Sequence, residues 1–494
     1  MDTDGGGEAD RISSLPDELL HSILLRLPRG VAPRAAVLSR RWRHVWAHFP
    51  VLYLDGLTPP PCATVVDEAL AACPHPALLR LVIRVQDEDN YLQPGRGDVT
   101  DTRVAPWLRF ASQRVAGEFF LWLPTDEMGF NQVLDLPVFA KARRVEIRLR
   151  RNFRLRPPPL SGRRGFAALT CLAMYSGKMD GHELGTLVSS SECPCLEELT
   201  LTVRLEADSD VSIRSGSLKR LRFHVANTRR LVVDAPVLVE LCVSKAAEAY
   251  IAVPKLAVVE FRDDMDRYEL AQAGRHLQRL MINLRFPAPA IMRRFDTIRE
   301  LILDSLSIPR GEGYKTFMKD MSRLDCESLV IRSVKTCHGF APSMLHLLRI
   351  CTGLRKFAVT LSVGMLGGFE CPSDCPCTWP ENFRTDNIML GSLEEIKVNG
   401  FKGYDPHLEC VNLLLRCNAP LLKRVVFSLS CSNSDYQNCM GIIRDKIRNM
   451  LPPHVELWAC SEHRNSIGIL GELRLVWVKF EHDSVYAVTA NSEI

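Results

Sequence analysis

The sequence predicts a mixed α+β / α/β chain in which a short helical module precedes a long array of repeated strand units. Three observations predict it. Residues 10–50 place apolar side chains at helical spacing. From about residue 78 onward, one short apolar motif returns at near-regular intervals. Between the two lies the breaker Pro59-Pro60-Pro61, as a linker requires.

In the first stretch, Ser14 precedes Asp17 by three residues with Pro16 in the first turn, the signature of a helix start. Leu19, Leu20, Ile23, Leu24 and Leu27 then share one face, and Pro28 and Gly30 end the helix. A second short helix covers about 33–38. Ser39 caps a third, whose Trp42, Val45, Trp46 and Phe49 recur at i, i+3, i+4 and i+7. A bundle near forty residues buries too little apolar surface to stand alone. This one has no cysteine to staple it. Its apolar faces must dock on the rest of the chain or on another protein.

The residues Asp10-Arg11-Ile12-Ser13, Leu15-Pro16-Asp17-Glu18, Ile23-Leu24, Leu27-Pro28, Val37-Leu38-Ser39, Arg40-Arg41-Trp42-Arg43, Trp46 and Pro50 form a long ordered pattern. It resembles the F-box of plant F-box proteins. One departure is Pro33-Arg34-Ala35-Ala36, where many members carry Val-Arg-Thr. The resemblance implies docking on a Skp-type adaptor and, through it, a cullin-based ubiquitin ligase. It also implies that Leu15, Pro16, Leu19, Ile23, Leu24, Leu27, Leu38, Trp42 and Trp46 form the adaptor-facing and internal core of a three-helix module.

The repeated motif is apolar-x-x-apolar-x-apolar. It runs from Leu78/Leu81/Ile83, Ala116/Phe119/Leu121 and Ala142/Val145/Ile147 to Leu393/Ile396/Val398 and Leu422/Val425/Phe427, fourteen times at spacings of 18 to 39 residues. Period and core are those of a leucine-rich repeat, whose units bury their apolar faces only by stacking on neighbours. The expected architecture is an irregular solenoid, with a parallel sheet on the concave face and mixed helices and turns on the convex face. Units between Leu196 and Ile298 leave room only for turns or a brief second strand, while longer ones hold a helix such as residues 342–352. Beyond the breaker cluster 371–380, the segments 392–398 and 419–427 flank a helix at about 406–417 and resemble the FBD region of plant F-box proteins.

The boundaries expected are 1–9 disordered, 10–54 F-box, 55–64 linker, 65–360 repeats, 361–384 Cys/Pro-rich loop, 385–460 FBD-like region and 461–494 C-terminal segment.

Composition excludes several classes. A net charge of +4 does not demand nucleic acid, and no run of 18 apolar residues predicts a membrane helix. The acidic, Gly-rich start is unlike a signal peptide, and the seventeen cysteines read as reduced, mostly buried thiols. A cytoplasmic or nuclear protein is expected.

Catalytic motifs are missing: His182-Glu183 lacks a partner histidine at i+4, and no Gly-x-Ser-x-Gly elbow occurs. Cys371, Cys375 and Cys377, with Cys193 and Cys195, have spacings that fit no paired zinc site. Neither metal nor cofactor is expected, and the chain reads as a non-catalytic subunit.

Basic charge concentrates at 141–164, where Lys141 and nine arginines accompany one acid, Glu146. Apart from Phe153, no aromatic interleaves those arginines for base stacking. Alternation along the strand points Arg148 and Arg150 to solvent, where guanidinium groups suit carboxylate or phosphate partners. With the outward positions Glu198, Thr200, Arg220, Arg222, Glu240, Glu260, Arg279 and Lys356, they form the expected substrate surface. The reading is a substrate-recognition subunit of a Skp–cullin–F-box ligase. The alternatives are a ligase-independent repeat scaffold and a nucleic-acid-associated regulator.

Overall fold

Parallel pairing of strands remote in sequence builds both units of the computed structural model, Met1–Ala207 and Asp208–Ile494. The structure describes residues 15–17, 19–20, 23, 41, 45, 50–55, 63–85, 99–123, 131–149, 151–158, 165–262, 267–283, 288–304, 316, 319–320, 323–332, 340–361, 375, 378–379, 385, 388–429, 433–464, 473–480 and 485–490.

The first unit holds β1 (Val51–Leu54), β2 (Leu78–Arg84), β3 (Val115–Trp122), β4 (Gln132–Asp135), β5 (Arg144–Arg148), β6 (Phe153–Arg156), β7 (Cys171–Met179) and the start of β8 (Glu198–Arg214). The sheet runs β1-β2-β3-β5-β7-β8, every pair parallel, while β4 and β6 pair beside it. Helices α1 (Ala63–Ala71), α2 (Asp101–Arg114) and α3 (Gly181–Leu187) fill connections between strands. Trp107 of α2 donates its indole N–H to Asp67 of α1 at 2.6 Å. Asp180 caps α3 by accepting from the amides of His182 and Glu183, at 2.8 and 3.0 Å.

The second unit continues with β9 (Arg220–Asp234), β10 (Glu240–Ala252), β11 (Val258–Phe261), β12 (Arg267–Ala271), β13 (His276–Asn283), β14 (Thr297–Asp304), β15 (Leu324–Asp325), β16 (Ser328–Arg332), β17 (Cys351–Thr352), β18 (Lys356–Thr360), β19 (Glu395–Phe401), β20 (Arg424–Leu429) and β21 (Glu456–Arg464). Helices α4 (Ala288–Arg293), α5 (Phe340–Ile350), α6 (Asp405–Leu415) and α7 (Asn433–Ile442) connect them. The ladder is parallel from β9 to β21. It ends in an antiparallel run with β22 (Leu473–Phe480) and β23 (Val485–Ala490). The result is a mixed α/β protein with large sheets and few helices, consistent with a leucine-rich-repeat fold.

The apolar motif explains the ladder. Its last two positions alternate along each strand and point inward: Leu81 and Ile83, Leu221 and Phe223, Leu301 and Leu303, Val425 and Phe427 are all buried. Each such side chain stabilises by about 1.5–3 kcal/mol relative to exposure, and only a neighbouring strand supplies the cover. Ala116 is the exception, being half-buried. Val115 pairs with Leu78 in its place, and the register shifts before Arg80 meets Glu118. The chain bulges there because Gly117 lies directly against the Leu79 carbonyl, leaving no space for a side chain.

Where unit spacing is short, the strand itself turns and continues. Asn227 and Lys245 adopt left-handed backbone (φ 66° and 62°). Beyond them, Glu248–Ala252 pair with both Arg230–Asp234 and Arg267–Ala271, forming the brief second strand that the spacing permits.

Candidate functional site

Two surfaces require separate treatment, the N-terminal helical segment and the outward face of the strands.

In the N-terminal segment Asp17, Leu19, Leu20 and Ile23 are helical, as are Arg41 and Val45. Leu20 and Val45 are fully buried, whereas Leu19 is 50% and Ile23 36% exposed. Pro16 is exposed and Leu15 half-buried. Arg41 bonds the Leu15 carbonyl and meets Asp17 at 3.0 Å, tying the start of one helical stretch to another. One apolar side of the helix is thus spent internally, and another faces out. Leu24, Leu27, Leu38, Trp42 and Trp46 lie outside the described residues.

On the strands, outward residues stand in lateral rows. One row of the first unit reads Arg80, Glu118, Arg144, Cys171 and Glu198 on successive strands. Another reads Arg84, Trp122, Arg148, Tyr175 and Thr202. Acids, two of them on other strands, pair with Arg144, Arg154 and Arg156 of the basic run 141–164. Arg144 lies 3.7 Å from Glu146, Arg154 meets Glu206 at 3.0 Å, and Arg156 meets Asp135 at 2.5 Å. Arg156 holds the Asp135 carboxyl below the usual carboxylate range.

Arg148 differs: it lies over the Tyr175 ring at 4.9 Å, and Arg84 lies over Trp122 at 5.2 Å. Apart from the buried Phe153, the rings beside the basic run are therefore supplied across the sheet and not along the chain. They stand on strands β3 and β7, either side of β5, so sequence adjacency hides them. Arg150 lies outside the described residues.

In the second unit the corresponding row reads Arg220, Glu240, Val258, Arg279, Glu300, Ser328, Lys356, Glu395, Arg424 and Glu456. Opposite charges alternate and close on one another. Arg279 bonds Glu300, Arg299 meets Glu327 at 3.2 Å, and Glu394 joins Arg355 and Lys423 at 2.6 and 2.9 Å. Arg279, Glu240 and Lys356 thereby line a groove of about 690 Å³ whose charges cancel internally. Glu260 meets Arg262 of the same segment at 3.0 Å. Arg222 is exposed beside Cys242, while Glu198 and Thr200 are half-buried in the first unit.

One catalytic-looking cluster escaped sequence reasoning. His224 Nδ1 lies 2.5 Å from the Ser244 hydroxyl, and its Nε2 is 3.7 Å from the Cys242 thiol. Burial pushes that thiol up to about 12, the reverse of what a nucleophile needs. Cys193, from the metal candidates, is buried against the Leu187 carbonyl with its thiol likewise pushed up to about 12. Cys375 is buried and Cys195 exposed, while Cys371 and Cys377 lie outside the described residues.

Comparison with known proteins covers the regions that carry both surfaces. Residues 12–53 match the F-box domain model, and residues 104–273 match the family model described as "FBD-associated F-box protein At5g56370, LRR repeats". The chain is 27% identical to F-box/LRR-repeat protein 13 of Arabidopsis thaliana over 458 residues, 87% of this chain and 91% of that one. It is 31% identical to the putative F-box/FBD/LRR-repeat protein At2g05300 over 247 residues, 46% of this chain and 50% of that one. Its first segment is 53% identical to the putative F-box protein At2g39415 over 53 residues, 11% of this chain and 44% of that one. The chain spans about half the length of the last two relatives. It carries an F-box segment and leucine-rich repeats similar to those of plant F-box/LRR-repeat proteins.

Proposed function

We propose that this protein is the substrate-recognition subunit of a Skp–cullin–F-box ubiquitin ligase, in which it performs no catalysis itself. The carrying observation is the burial pattern of the segment that matches the F-box, with Leu20 and Val45 buried while Leu19 and Ile23 face out. Exposed apolar side chains on so small a module are stabilised by a partner. In this reading the segment folds as three helices. Leu15, Pro16, Leu24, Leu27, Leu38, Trp42 and Trp46 complete its adaptor-facing surface and internal core. The repeats form the solenoid that holds a protein substrate on its outward strand positions.

The boundaries 10–54, 65–360 and 385–460 divide the work between adaptor, repeats and FBD-like region, in the cytosol or the nucleus. Among the described residues no helix is long and apolar enough to cross a membrane. Replacing Leu15 and Pro16 together by alanine tests the reading. Adaptor binding should fall, and binding unchanged by the double substitution would remove the F-box assignment in favour of a ligase-independent scaffold.

A further inference from the structure

We propose that the outward row Arg84, Trp122, Arg148 and Tyr175 docks an acidic segment of a protein partner, seating two carboxylate side chains on the two guanidinium groups. Calling that partner a ubiquitination substrate rests on the function proposed above; the docking itself does not.

Ring stacking in place of ion pairing singles out this row. Several other strand-face cations have internal acids: Arg80 meets Glu118 at 2.5 Å, Arg279 bonds Glu300, and Glu394 joins Arg355 and Lys423. Arg84 and Arg148 are exposed and, among the described residues, neither forms an ion pair. Each stacks on a ring instead, Arg84 on Trp122 and Arg148 on Tyr175. Stacking fixes the guanidinium plane and leaves its N–H edge available for an oxyanion in the two-pronged geometry that arginine favours. The neighbouring carboxylate Glu146 is occupied, accepting from Trp122 Nε1 at 3.2 Å and lying 3.7 Å from Arg144.

Register sets the ligand's dimensions. Arg84, Trp122 and Arg148 occupy three successive strands, so the two guanidinium groups sit roughly 10 Å apart at the usual strand spacing. A single carboxylate cannot bridge that distance. Two acidic side chains three residues apart in a polyproline-like chain cover about 9 Å on one side. Between them lies Trp122, whose only donor is already used on Glu146, so it offers ring surface to an apolar residue. An acidic-x-apolar-acidic segment fits this order of cation, ring and cation.

The full chain, purified with its adaptor, would be titrated into a fluorescein-labelled peptide carrying two glutamates three residues apart, with proline and leucine between. The expected result is binding that weakens steeply with salt, is lost when both glutamates become glutamine, and falls at least tenfold in Arg84→Glu/Arg148→Glu. Arg84→Lys/Arg148→Lys should fall between, because charge remains but the planar fork is gone. Retained adaptor co-purification and an unchanged thermal midpoint report that the variants are folded. Equal binding of the glutamate and glutamine peptides would overturn the proposal, as would indifference to the charge reversal. A peptide bound only when phosphoserine replaces glutamate would overturn it in favour of a phosphopeptide reader. A single-stranded oligonucleotide that displaces the bound peptide would overturn it in favour of base stacking. Loss of adaptor co-purification in the wild type, with peptide binding intact, would remove the ligase reading and leave this inference standing.

Discussion

Arg41 and Asp17, twenty-four positions apart in sequence, meet at 3.0 Å, and the same guanidinium holds the carbonyl of Leu15. This contact joins two helical stretches of a segment too small to be held by core alone. Both partners are about two-fifths exposed, so the ion pair itself contributes little. The charged bond to the Leu15 carbonyl contributes more. Arg41→Ala should cost about 1–2 kcal/mol of local stability. Hydrogen exchange of the 15–23 amides is the measurement, with faster exchange confined to this segment.

Gly400 sits where the register shifts between Asn399 and Phe401, at φ +70°, with the Leu361 carbonyl on the side where a Cβ would project. An alanine there meets both backbone strain and a clash. Gly400→Ala should destabilise the second unit by about 1–3 kcal/mol, read as a lower denaturation midpoint in urea. Gly391→Ala, where a Cβ meets nothing within 4 Å, is the control and should change little.

Hydrogen bonds from Lys423 and then Arg355 hold the Glu394 carboxyl below its ordinary value of 4.5. A depressed folded value means that the stabilisation is present above the ordinary carboxylate range and lost as pH falls through the lowered one. Glu394→Gln should therefore lower the thermal midpoint slightly at about pH 7, with the difference closing toward about pH 3. The effect is small because these side chains are largely solvated. A difference that persists in acid would mean that the triad acts through packing instead of charge.

Burial pushes the Cys193, Cys242 and Cys410 thiols up to about 12, whereas Cys195 is exposed. Iodoacetamide at about pH 8 should modify Cys195 well before these three in the native protein, and all four equally after denaturation. Mass spectrometry of the alkylated peptides checks this.

Much of the fold was legible because each strand carries its own instruction. An apolar pair two residues apart needs only alternation to point inward, so Leu81 and Ile83 or Val425 and Phe427 could be placed without knowing their neighbours. Ala116 was misplaced by one residue because the bulge depends on contact between Gly117 and the Leu79 carbonyl, which no local pattern records. Candidate sites were harder to read for the same reason. Arg148 was recognisable as outward, but its ring partner Tyr175 and the flanking Trp122 stand on other strands. Arg154 and Arg156 belong to the same basic run, but Glu206 and Asp135 from other strands stand beside them. Lateral register decides which charges are free, and register is a property of the stacked sheet.

The central claim is that the outward apolar side chains of the first segment bind a Skp-type adaptor. Co-purification of the full chain with such an adaptor, compared with Leu19→Glu/Ile23→Glu, tests it most directly. The account predicts a stable complex for the wild type. It also predicts at least about a tenfold weaker one for the variant, roughly 1.4 kcal/mol, with the thermal transition of the strand repeats unchanged. A wild-type chain that holds no adaptor, or a variant that holds it equally well, would contradict the account.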